Sequence, residues 1–230
     1  MRRRGVFVVL AVLLGLGVGG WVLFGARRLA WMVWLLAAVG CALLLWQVER
    51  KRWNERELAL MAVLTALSVA GRAAFVLVPF FKPVTAVVIL AGVYCGGLGG
   101  CAVGVLSAAV SNIWFGQGPW TPFQMLAWGL IGLLAGVLPL RRSRPLLYLY
   151  GGLSGVVFSL VMDVWTVLWI DNSLSAPRYI AAVIAAAPVT VIYAVSNVVF
   201  LTLLTAPVGE KLDRIRRKYG AFSGEADKHA

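Results

Sequence analysis

SNIWFGQGPWTPFQMLAWGLIGLLAG, residues 111–136, holds no charged residue, yet it carries Asn112, Gln117, Thr121 and Gln124 together with Trp114, Trp120 and Trp128. Gly116, Gly118, Pro119 and Pro122 build a turn in its first half, and Gly129, Gly132 and Gly136 share one helix face in its second. Glycine and proline interrupt helices, whereas small residues on one face let a second helix approach closely. Apolar runs on both sides put this polar, aromatic turn at a membrane surface. Backbone at that depth is tolerated only where protein or a watery cavity meets its hydrogen bonds, so the turn reads as part of a mouth or pocket.

Composition supports a membrane setting. Of 230 residues, 61% are hydrophobic and 13% charged, with a mean hydropathy of +0.89, which is the range of polytopic membrane proteins. A net charge of +12 would point to nucleic acid in a soluble chain. Here the positive residues cluster in short segments between apolar runs, so they report topology, with lipid rather than nucleic acid as the surrounding partner. Cys41, Cys95 and Cys101 lie in apolar segments without zinc-ligand spacing and read as small packing residues. The single histidine, His229, sits in the tail. Metalloprotease, serine–histidine and histidine-ligated metal chemistry therefore lack their ligand or base. CGGLGGC, residues 95–101, lacks the lysine of a phosphate loop and reads as a helix turn. No catalytic residue, metal or cofactor is expected, and an autonomous ATP-driven pump is excluded.

Outward from the central stretch, the fold class is all-α, a polytopic bundle of about eight transmembrane helices. Residues 1–55 form an N-terminal hairpin (apolar runs at 6–24 and about 30–48) and a charged connector, ERKRWNERE. Residues 56–218 form a six-helix core, and 219–230 a polar tail. The first core span, about 58–78, places Ala62, Ala66, Ala70 and Ala74 at four-residue spacing, a face made for close helix approach. Residues 83–140 contain no charge, and at about 1.5 Å per residue they fit about three crossings, broken at Gly96–Gly100 and at 115–122. The last two spans are predicted at about 146–170 and 179–206, the latter kinked at Pro188. With the N-terminus inside, sixteen Lys and Arg fall on one side and four on the other. The positive-inside rule then makes both termini cytoplasmic in the cell membrane and turns the 115–122, 79–83 and 170–179 segments outward.

Arg72 and Asp163 lie within predicted spans, where a charge costs about 2.5–3.5 kcal/mol on insertion scales. Two readings stand: a structural ion pair or snorkelling arginine, and the lining of a polar pocket. Trp31, Trp34, Trp46 and Trp53 read as interfacial belt residues. Trp120 and Trp128, beside Asn112, Gln117, Gln124 and Asn172, offer the flat walls and few polar groups of a small-molecule site. Trp114, Trp165 and Trp169 fit belt or pocket. Tyr193 and Asn197, one turn apart, read as interhelical glue.

The core from about Arg56 to Lys218, with its alanine ladder, its Pro83 loop and above all FGQGPWTPFQMLAWGLIGLLAG, resembles the substrate-binding subunit (S component) of energy-coupling factor vitamin transporters. The resemblance covers about two thirds of the chain, and GQGPWTP is its most specific part. It implies a non-enzymatic receptor that captures a vitamin or related micronutrient from outside. Release inward then depends on a separate transmembrane coupling subunit and two ATPase subunits. It further implies that Ala62, Ala66 and Ala70 face the coupling subunit, and that the substrate site lies on outward loops and outer helix halves. Histidine-dependent nickel and cobalt members are excluded as models, which leaves a vitamin such as a riboflavin-like or cobalamin-like one. The N-terminal hairpin departs from the family pattern. The competing reading from the residues is a stand-alone proton-coupled carrier using Asp163 and Arg72. It would be favoured by an inverted repeat, and none is visible.

Overall fold

The computed structural model describes residues 39–171 and 173–219. The first helix of the expected hairpin, most of its second helix, Asn172 and the tail from residue 220 lie outside the described residues. The expectation of eight helices is therefore met only in its coarser form. Helix α1 occupies 39–50, followed by α2 (Glu55–Ala74), α3 (Val84–Phe115), α4 (Thr121–Ala135), a 3-10 turn at Leu140–Arg142, α5 (Arg144–Asp171) and α6 (Ala176–Tyr219). No strand occurs among the described residues. Helices α2, α3, α5 and α6 are long and apolar enough to cross a membrane, and α4 is apolar but shorter.

Asn54 starts α2 with a capping box: its side chain accepts from the Arg56 amide at 3.4 Å, and Glu57 accepts from the Asn54 amide at 3.2 Å. Such a cap contributes about 1 kcal/mol. Helix α2 ends four residues earlier than the expected span, at Ala74, because Pro79 and Pro83 bias the chain ahead of them away from helix. The loop that follows is held down by aromatic contacts, Phe75 and Phe81 each packing on Phe200 with centroids 5.0 and 5.1 Å apart. Phe80 is left-handed there, with φ 62°.

At the centre, α3 is buried along most of its length, and its Val84–Ala91 run has side chains at most 8% exposed. It is interrupted where expected: Gly96 has φ 80° and ψ 167°, a conformation that suits glycine. The two arms fold back on each other. In a straight helix Gly92 and Gly100 would be about 12 Å apart, yet a Cβ on Gly100 would lie 2.5 Å from the Gly92 Cα. The second arm then packs along α4 through glycine. A Cβ on Gly132 would meet the Gly100 oxygen at 2.2 Å, and one on Gly136 the Gly97 nitrogen at 2.1 Å. The close-packing face expected for Gly129, Gly132 and Gly136 is thus spent within the chain. Helix α1 covers the outside of this pair, with Leu44 1% exposed against Cys101, Val105 and Leu133, and the Cys41 thiol donates to the Pro122 oxygen at 3.1 Å.

Helices α5 and α6 pack closely side by side. Asn197 donates to the Gly151 oxygen at 3.0 Å, which is the glue role expected of it. Helix α6 outruns the expected 179–206 span. It continues through Pro188 and Pro207 to Tyr219, because EKLDR after Gly209 consists mostly of good helix formers and Leu212 finds a buried seat. Gly209 lies against the Tyr94 ring, and Arg141 pairs with Asp213, which ties this extension to the rest of the bundle.

Candidate functional site

The end of the bundle that carries the Gly116–Trp120 turn collects the polar residues singled out in the sequence. Arg72, in the last turn of α2, donates through Nη1 to Ser111 Oγ and, at 2.8 Å, to Asn112 Oδ1. Asn112, fully buried near the end of α3, passes the connection on: its Nδ2 donates to Thr121 Oγ1 at 3.0 Å and to Gln124 Oε1 at 2.8 Å. One amide therefore joins α2, α3 and α4. A buried network of this kind is rigid when every member is satisfied. Gln117 belongs to the same assembly, accepting from Thr121 at 3.1 Å and donating to the Ala109 oxygen at 2.9 Å. Both ends of its amide are used to fasten the turn. Gly116, at φ 95°, takes the left-handed conformation that opens the turn.

An aromatic layer lies beside this network. Trp128 is 5% exposed, stacked on Phe158 at 4.9 Å and 16°, and its indole nitrogen donates to Thr85 Oγ1 at 3.1 Å. Phe158 meets Tyr193 edge-on at 5.3 Å, and Phe80 covers Tyr193 at 5.8 Å. Tyr193 thus joins the aromatic layer in addition to any interhelical role. The Arg72 guanidinium stands 5.8 Å from the Trp128 ring and 4.6 Å from that of Phe115. Trp120 sits apart, on Trp165 at 6.0 Å, in a cluster with Phe123 and Leu168. Trp114 and Trp169 are exposed, as belt residues are.

Asp163 is 8% exposed, and its Oδ2 has no hydrogen-bond partner among the described residues. It forms no ion pair with Arg72; among the described residues Arg72 is held by neutral oxygens and rings. Tyr193 lies within the electrostatic reach of both. Of the sequence-predicted residues, Arg72, Asn112, Gln117, Gln124 and Trp128 come together. Trp120 and Asp163 lie on neighbouring parts of the same end, and Asn172 is outside the described residues. Sequence reasoning missed Ser111, Thr85, Phe115 and Phe158. Only Ser111 and Phe115, adjoining Asn112 and the turn, carried a signal that could have found them. Ala62, Ala66 and Ala70 are exposed along α2.

Against this geometry, one comparison decides the family. Residues 52–214 match the family model described as the S component of the ECF-type riboflavin transporter. The chain belongs to that family. No curated protein and no solved structure matches it. The match spans α2 to α5 and most of α6, leaving the N-terminal hairpin outside. As an S component, the chain is a multi-pass membrane subunit of a transport system, not an enzyme. It binds substrate while separate energy-coupling subunits drive uptake. The stand-alone carrier reading gives way to the receptor reading on this ground.

Proposed function

We propose that this S component binds a flavin-type vitamin at the turn end of the bundle, and that this end faces outward. The observation that carries the reading is the coincidence, in a riboflavin-type S component, of a buried polar chain from Arg72 through Asn112 to Gln124 with the Trp128–Phe158 stack. Planar ring systems are held by aromatic faces and fixed in direction by a few polar groups. Asp163, with a buried oxygen free to accept among the described residues, suits a ring N–H or hydroxyl donor of the ligand, and Trp120 edges the same mouth. Leaving such a ligand group unpaired costs roughly 1–3 kcal/mol.

In this reading the core makes six crossings, the two arms of α3 counting separately, and the N-terminal hairpin brings the total to eight with both termini cytoplasmic. Ala62, Ala66 and Ala70 form the face on which the coupling subunit docks, and two ATPases act through it. Titration of the purified chain with riboflavin, followed by quenching of flavin fluorescence, tests the site. Asp163→Ala and Trp120→Ala should each weaken binding about tenfold or more, with folding retained. Unchanged affinity in both would move the site elsewhere. Cysteines placed at Gly118 and Ser173 should react with an impermeant reagent in intact cells and one at Ser143 should not; the reverse pattern overturns the orientation.

A further inference from the structure

Two cationic side chains at the ligand end have no acidic partner among the described residues. Arg72 spends one nitrogen on Ser111 and Asn112, and its Nε and Nη2 hydrogens meet no acceptor of the chain among the described residues. Lys82, in the loop before α3, lies with Nζ 5.6 Å from the Phe115 ring that Arg72 approaches at 4.6 Å. Its position is fixed by the chain: the Lys82 amide donates to Ser196 Oγ at 2.9 Å, and the same hydroxyl donates to the Lys82 oxygen at 3.1 Å. Neither cation is ion-paired among the described residues. Asp171 pairs with Arg178, at 3.4 Å. Partial burial first, and the like charge of Arg72 second, hold the Lys82 ammonium below its ordinary range.

Half-buried charges are normally matched by an opposite charge, because an unmatched one carries a desolvation cost with no return. An arginine with free N–H groups is shaped for a phosphate or carboxylate, and a lysine adds a point charge. Neutral riboflavin supplies neither anion. A phosphomonoester, with a charge of about −1.5 to −2 near pH 7, balances both cations at once.

We propose that Lys82 and Arg72, flanking Phe115, form a clamp for a phosphate carried by the ligand, so that this S component prefers riboflavin 5′-phosphate to riboflavin. The inference rests on the flavin reading of the site and adds Lys82 to it as a specificity-determining residue. The test titrates the full chain in detergent with each flavin by fluorescence. The ester should bind about tenfold tighter or more at low salt, an advantage that shrinks as salt screens the charges. Lys82→Gln should remove most of this advantage while leaving riboflavin affinity within about twofold, which also shows that the variant folds. Lys82→Arg should keep it. Equal or weaker binding of the ester by the unaltered chain overturns the clamp, as does Lys82→Gln weakening both flavins alike. Absence of binding by either flavin overturns the flavin reading itself, and the clamp with it.

Discussion

Helix α4 lays Gly132 and Gly136 against Gly100 and Gly97 of α3, whereas α2 lays Ala62, Ala66 and Ala70 against no other helix of the described chain. In sequence the two faces look alike: small residues at helical spacing within apolar runs. In the structure one is closed, with backbone against backbone, and the other is open. Small residues set how near a partner can come, since packing rather than hydrophobicity drives helix association in lipid. Whether the partner lies in the same chain is a separate question. On the proposed reading, the coupling subunit supplies that partner.

Breaking the closed face should give the largest effect. Gly132→Leu drives a side chain into the Gly100 carbonyl, and backbone cannot yield as a flexible side chain does. Loss of at least about 3 kcal/mol, the upper end of overpacking costs, should appear as a collapse of thermal stability in detergent and loss of ligand binding. Retained stability would show that the two arms are not locked. The open face should respond differently. Ala66→Trp adds bulk at an exposed position, so its stability should stay within about 0.5 kcal/mol and ligand binding should persist, while uptake in cells that supply the coupling module should vanish. Uptake at the normal level would sever the alanine face from coupling. The smallest effect sharpens the comparison within one helix. A Cβ on Gly152 of α5 would touch only Val198, at 3.8 Å, whereas one on Gly155 would sit 2.7 Å from the Ala194 backbone. Gly152→Ala should be neutral or stabilise by up to about 1 kcal/mol, and Gly155→Ala should destabilise. Equal melting temperatures would contradict the packing described for α5 and α6.

Much of this was legible because it is encoded locally. Gly96 and the Gly116–Pro122 turn announce the breaks, and the glycine spacing of α4 announces a tight seam. Asn112 and Gln124 stand out as amides in an uncharged stretch. What was not legible depends on distant partners. Lys82 counts in a sequence only as one loop cation, and nothing marks Ser196, 114 positions later, as the residue that holds it. Trp128 reads as an open wall until Thr85, 43 positions earlier, takes its indole hydrogen. The polar residues after Ala206 read in sequence as the end of the last span, yet α6 continues to Tyr219, because most charged residues are good helix formers once water receives their heads.

That long helix has a mechanical consequence. Its 44 residues span about 66 Å, roughly twice the 30 Å of a hydrocarbon core, so a large part of it stands outside the membrane or leans across it. Through Tyr94 against Gly209, and Arg141 with Asp213, the projecting end is fastened to the body rather than hinged from it. It behaves as a pointer: any change in the tilt of the body is magnified at the tip, where a spin label or fluorophore near Lys218 would register as a displacement of many ångströms what the buried helices express as a small rotation.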